Sequence, residues 1–339
     1  VLDSGIDAKH PDFSGRIHRD SRSFVPGQPF DVDDYGHGTH VAGILAGSGR
    51  QFQGIAPEAT LLVLRVFDST GRADEGRVAA AIQYAADHGA DVINFSGGYA
   101  PVVHGVPLID PPWVWRFSEM KEEREVRRAF DKGVLSIVSA GNHGRFGFGT
   151  ICCPATSPHA IAVGSIGKDR VLSSFSSRGP SYRCADIDPA DHVVSLSDLT
   201  TPTIAQARPH LVAVGGEVDP DAACRYQLGV ASAYSGATSV AQDACLIPTA
   251  REYCKMAGTS QAAPVVAGLA ALAIERLDET QGRPIGVKAK RARAQQVRRL
   301  LLASTDPVTV RSPSRTVGKG IPTWRKLELR IREAVNRGP

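Results

Sequence analysis

An α/β fold built as three layers, with helices on both faces of one mostly parallel β-sheet, is what the sequence predicts. Three observations carry that prediction. Short β-branched runs alternate along the chain with segments of helical period. The runs are continuously apolar, as strands buried on both faces are. No repeat of 20–50 residues points to a solenoid or propeller instead.

The elements follow in order. Leu61 to Phe67 (LLVLRVF) reads as a buried strand. A helix over about 75–88 follows, with Val78, Ile82 and Ala85 on one face and Gly89 as its stop. Asp91 to Phe95 is the next strand. Met120, Val126, Ala129 and Phe130 mark a helix closed by Gly133, and Val134 to Ser139 is again strand. Ala160 to Ser165 and Leu211 to Val214 extend the series, and Val265 to Leu277 is an apolar helix. In sheets of this kind reactive groups gather where strands end and helices begin.

Two segments break the rhythm and read as insertions into one domain spanning 1–308. Residues 99–117 carry Pro101, Pro107, Pro111 and Pro112 with Trp113 and Trp115, which excludes regular structure. Residues 217–255 are long, poor in periodicity and hold Cys224, Cys245 and Cys254, so they read as a surface loop. Residues 309–339 form an extension with no assigned role.

Composition excludes several classes. Of 339 residues 42% are apolar and 22% charged, which is ordinary for a folded domain. The net charge of +4 is small, and the basic run from Lys288 to Arg299 has the spacing of a solvated helix face over Val297, Leu300 and Leu301. No nucleic-acid partner is predicted. No apolar run approaches the roughly 18 residues of a membrane span. Six cysteines without metal-ligand spacing suggest no zinc site. In an exported protein at least one bridge among Cys184, Cys224, Cys245 and Cys254 is expected, since a disulfide would order residues 217–255. The opening Val1-Leu2-Asp3 reads as the middle of a strand, with upstream residues expected.

Three segments carry chemistry. Val1-Leu2-Asp3-Ser4-Gly5 brings a carboxylate to a strand end. His37-Gly38-Thr39-His40-Val41-Ala42-Gly43 sets an imidazole at the start of a small-residue helix. Gly258-Thr259-Ser260-Gln261-Ala262-Ala263-Pro264 places a serine at another helix start, with the proline expected in its first turn. A serine hydroxyl needs a base within hydrogen-bond reach, and the base needs an orienting carboxylate. Free amides at a helix N-terminus suit a developing oxyanion. Singly, each residue is as readily a turn former, a structural histidine or a helix cap.

In this order, DSG, HGTHVAG and GTSxAxP resemble the subtilase family of serine proteases. Gly54-Ile55-Ala56-Pro57, Asp91 to Gly98, Ser139-Ala140-Gly141-Asn142, Ser174 to Pro180, Arg208-Pro209 and the late helix around Ala294–Val308 are family-like too. The resemblance implies Ser260 as nucleophile, His37 as base, Asp3 as its orienter and Asn142 as oxyanion donor. It implies an extended polypeptide substrate along Ser96, Gly97 and Gly98, against Ser139, Ala140 and Gly141. These small walls suit a sizeable apolar P1 residue such as Leu, Phe, Tyr or Met. It also implies an N-terminal propeptide. A secreted or periplasmic location is expected, with a cytoplasmic one as the alternative that the six cysteines leave open, and no cofactor is expected. Residues 47–54 lack carboxylates, so no calcium ligand is carried over and no metal site is predicted. Gln261, Val266 and Val214 depart from the usual pattern. A processing protease or peptide ligase of restricted specificity is the neighbouring reading, and an inactive peptide-binding module the remote one. His40 is expected to be structural, and His143 exposed.

Overall fold

The computed structural model describes residues 1–98, 102–103, 106–107, 121–179, 208–236, 245–308 and 316–336. The insertion at 99–117 and Cys184 therefore lie largely or wholly outside the described residues. One parallel sheet of seven strands organises the rest. Its strands are β1 (Leu2–Asp3), β2 (Arg22–Ser23), β3 (Leu64–Arg65), β4 (Val92–Phe95), β7 (Leu135–Ser139), β8 (Ala160–Ile166) and β9 (Leu211–Val214), in the order β2-β3-β1-β4-β7-β8-β9. Two short strands, β5 (Val102–Val103) and β6 (Val106–Pro107), pair apart from it.

Side chains of the central strands point alternately to two cores, as the period of two requires. Leu135, Ile137, Ile161, Val163, Leu211 and Ala213 face one layer of helices, α1 (His37–Ala46), α4 (Thr259–Gln281), α5 (Val287–Ala303) and α6 (Trp324–Asn336). Val138, Ala160 and Ala162 face the other, α2 (Glu75–Asp87) and α3 (Lys121–Asp131). Both faces are covered, which is why the strands read as unbroken apolar runs. The α2 boundaries follow local chemistry. Asp74 caps the helix by accepting from Arg77 N (2.8 Å), and Gly89 leaves it with φ +79°.

Four expectations need amending. Residues 99–117, read as excluding regular structure, contain the short antiparallel pair β5–β6 among their described residues. Residues 217–255 are not wholly irregular. Val230–Ala233 (β10), Cys245–Ile247 (β11) and Ala250–Met256 (β12) form an antiparallel sheet in the order β10-β12-β11. A bulge at Leu246/Ile247 and the exposure of Arg251 and Glu252 break the alternation that would have signalled strands. Pro264 lies in the second turn of α4, not the first. The late helix ends at Ala303, where Thr305–Asp306 (β13) turns back to pair with Ile321–Pro322 (β14). Beyond that pair, α6 buries Leu327 and Ile331 in the main core.

Candidate active site

The parallel sheet presents the carboxyl ends of β1, β4 and β7 side by side, and the chemistry-bearing segments sit there. Asp3 closes β1 and is fully buried. Its Oδ1 accepts from Ser4 N (2.8 Å) and lies 2.8 Å from His37 Nδ1. His37 is the first residue of α1, and its ring remains partly exposed, with 19% of the side chain accessible. Burial pulls its pKa down, but the charge and hydrogen bond of Asp3, with a further push from Asp33, leave it raised above 6.5.

Ser260 occupies the first turn of α4, where amides lack helical partners. Its hydroxyl donates to Ser96 O (3.2 Å) and makes no hydrogen bond to His37. A loose nucleophile–base contact is usual before substrate is present. Pro264 contributes here by what it lacks. Without an N–H it cannot bond the carbonyl four residues back, and that carbonyl, Ser260 O, accepts instead from Ser96 Oγ (2.8 Å). The start of α4 is thereby tied to the end of β4.

Asn142 stands in the loop after β7, exposed. Its Oδ1 accepts from Thr259 N and Thr259 Oγ1, both at 2.9 Å, and Thr259 Oγ1 in turn accepts from Gly141 N (3.1 Å). With its oxygen held, the amide can only present Nδ2 outward, on the side of Gly258 and Ser260. Ser96, Gly97 and Gly98 leave the end of β4 and face Ser139, Ala140 and Gly141 at the end of β7, with Ser139 Oγ 3.4 Å from Gly97 O. All ten candidate residues therefore share one edge of the sheet.

Sequence reading missed Cys152. This buried free thiol lies between the two walls. A Cβ at Gly98 would stand 2.9 Å from Cys152 Cβ, and one at Gly141 would overlap its Sγ. Burial lifts the thiol pKa to about 12, so it is held protonated at neutral pH. His143 Nδ1 lies 3.5 Å from the sulfur, and the ring is only partly exposed. Among the described residues no group of three or more His, Cys, Asp or Glu could hold a metal ion. No described helix is long and apolar enough to cross a membrane.

The subtilase family model matches residues 1–320. The chain belongs to the subtilase family. The subtilisin-like protease PopC of Myxococcus xanthus is 30% identical over 96% of this chain, and Subtilisin Savinase of Lederbergia lenta is 32% identical over 61% of it. The chain spans 58% of PopC and 72% of Savinase, and 40% of a thermophilic serine proteinase from Bacillus sp. strain AK1. Among solved structures, a lanthipeptide protease superposes with a TM-score of 0.68 at 23% identity, covering 97% of this chain and 86% of that one. A cold-adapted subtilisin-like serine proteinase gives 0.62 at 24%, covering 95% and 86%. At that identity these structures show the shared fold.

Proposed function

We propose that this subtilase is a serine endopeptidase. Ser260 Oγ attacks the peptide carbonyl as His37 takes its proton, and the tetrahedral oxyanion rests on Asn142 Nδ2 and Ser260 N–H. His37 then gives the proton to the departing amine, and water resolves the acyl-enzyme with His37 again as base. Asp3 holds the imidazole tautomer. The observation that carries this reading is the 2.8 Å Asp3–His37 contact, set beside a helix-start serine whose neighbour Thr259 orients Asn142. All of these parts belong to the protein, and no cofactor enters the scheme.

The expected substrate is an extended polypeptide along Ser96–Gly98. Cys152 changes the expected size of its P1 residue. A thiol packed against Gly98 and Gly141 would shorten a P1 pocket formed between these walls, favouring small or medium apolar side chains over Phe or Tyr. A restricted, processing role is consistent with that narrowing. A lanthipeptide protease and an epidermin leader peptide processing protease of Staphylococcus aureus share the fold. Export is supported by the disulfide joining Cys224 to Cys245 and by a second one engaging Cys153, since such bonds persist in oxidising compartments.

Fluorophosphonate labelling with peptide cleavage tests the chemistry. The wild type should label at Ser260 and cleave; Ser260→Ala should do neither. Asn142→Ala should still label, with kcat down on the order of 10²–10³, the scale measured on subtilisin, and KM little changed. A chain that takes no label and cuts no peptide would instead be the inactive binding module. On a P1 library, Cys152→Gly should move preference toward larger side chains by roughly 10-fold or more. An unchanged profile would remove Cys152 from the pocket.

A further inference from the structure

Beneath the Asp3–His37 pair lies a second buried carboxylate, Asp33, that the scheme above does not use. Its Oδ1 accepts from Ser4 Oγ and Gly36 N, both at 2.8 Å. Its Oδ2 accepts from Thr39 N (2.7 Å) and Thr39 Oγ1 (2.6 Å). All four partners must be donors. The amides have no alternative. Ser4 Oγ already accepts from Gly38 N (2.9 Å) and Thr39 Oγ1 from Asp7 N (2.9 Å), so each hydroxyl turns its proton to Asp33. A protonated carboxyl would set hydrogen against a donor, so this cage fits the carboxylate even though burial pushes the Asp33 pKa up.

These bonds reach both members of the pair. Ser4 follows Asp3 and donates its own amide to Asp3 Oδ1. Gly36 is the N-cap of α1, has φ +93° and offers no side chain, so Asp33 and Ser4 satisfy the orphan amides of the first turn in its place. Helix start and turn are also in direct contact: a Cβ on Gly38 would run into Gly5 O and stand 3.1 Å from Asp3 Cβ. A negative charge here also complements the helix dipole. Among the described residues no Lys or Arg pairs with Asp33; its neighbour Asp34 takes Arg65 instead.

We propose that Asp33 is a positioning residue for the proton transfer, clamping the Asp3 turn to the start of the His37 helix and lending a second fixed charge to the imidazolium. The groups facing His37 are Asp3 from β1, Asp33 from the loop before α1, the Tyr35 ring at 6.4 Å and His40 on the same helix. His40 is held neutral, its pKa pushed by burial to about 3, so the two carboxylates supply the charge. This proposal rests on the serine-protease reading and adds to it a residue that touches no substrate.

The test is the pH dependence of kcat/KM on a chromogenic peptide, together with the fluorophosphonate labelling rate. Removing a negative charge destabilises imidazolium, so Asp33→Asn should move the acid limb down by roughly 0.5–1 pH unit, with kcat reduced at least about 10-fold and KM little changed. A purely structural loosening would lower the rate and leave the limb in place, and that result overturns the charge role. Ser4→Ala keeps the charge and cuts one strand of the clamp. It should slow labelling and kcat several-fold with no shift of the limb. Should Asp33→Asn not fold, Ser4→Ala still decides the clamp: folded protein labelling at the wild-type rate sinks it. A wild type that neither labels nor cleaves refutes the underlying protease reading instead, so the two failures are distinguishable.

Discussion

Two histidines of α1, three residues apart and so about one turn apart on the same side of the helix, are treated in opposite ways. At the rim, His37 meets the carboxylates of Asp3 and Asp33, and its pKa is raised despite burial. One turn in, buried, His40 points Nε2 at two carbonyls, Val230 O (3.1 Å) and Cys254 O (3.3 Å), and burial drops its pKa to about 3. One helix thus holds an imidazole whose charged form is favoured and another kept neutral at neutral pH. The difference lies in the partners: fixed charge stabilises imidazolium, whereas carbonyls in a dry layer need only an N–H. The helix start at His37 carries the proposed chemistry, and His40, one turn in, anchors the antiparallel sheet of β10, β12 and β11. That anchoring is close. A Cβ on Gly43 would collide with Ser232 Oγ and come within 3.0 Å of Ala233 N.

The largest expected effect falls on the rim. His37→Ala should lower kcat by roughly 10⁴–10⁶-fold, the scale measured on subtilisin, while shifting the thermal midpoint little. A variant that kept substantial activity would erase the functional contrast between the two histidines. His40→Ala should show the reverse. It removes a packed ring and orphans two carbonyls, so a loss of about 2–4 kcal/mol is expected, with the folded fraction retaining its kcat. Urea melts paired with active-site titration separate the two outcomes.

Their pH signatures should also differ in sign. His40 is neutral when folded and gains a proton readily only when unfolded. Its contribution to stability is therefore present above about pH 6.5 and lost as pH falls from there toward 3. His37, with a raised folded pKa, contributes fully below 6.5, and that contribution fades as pH rises through its folded value. Comparing wild type with His40→Ala across pH 4–7 isolates the first term. A stability difference that did not shrink on acidification would contradict the buried, neutral state.

Much of the rim was legible because its information is local. DSG, HGTHVAG, GTSxAxP and Ser139–Asn142 each span at most seven residues, and their resemblance to the subtilase pattern is what singled out Asp3, His37, Asn142 and Ser260. The structure brings these residues together, and their roles are the proposal above. What escaped depends on partners distant in sequence. The bonds of His40 to Val230 and Cys254 span about 190 and 214 residues. No periodicity in 217–255 reports them, because β11 is bulged and much of β12 is exposed. Asp33 sits four residues before His37 and was in plain view, yet its meaning lies in the bonds of Ser4 and Thr39. Cys152 was counted as a cysteine and read for redox chemistry; only the approach of β4 to β7 makes it part of a pocket. The spacing of apolar residues gave α2 and α4 their cores, but nothing in it foretold that Pro264 would free Ser260 O for Ser96.

The smallest effect is the sharpest test of the partition. Ser232 Oγ donates to His40 O at 2.7 Å, a buried bond from β10 to the backbone of α1. Ser232→Ala deletes the donor but leaves His40's own hydrogen bonds, and the methyl can occupy the same space. A loss of about 1 kcal/mol is expected, with some orphaning of the carbonyl already included. Because His37 lies a turn earlier and is held by Asp3, Ser4 and Asp33, neither kcat nor the acid limb of kcat/KM should move. A denaturation midpoint shifted by that amount with wild-type kinetics keeps the two histidine sites independent. If kcat falls several-fold while stability barely changes, strain at the antiparallel sheet is reaching the imidazole through α1. The inserted sheet would then be part of the catalytic apparatus rather than an anchored appendage to it.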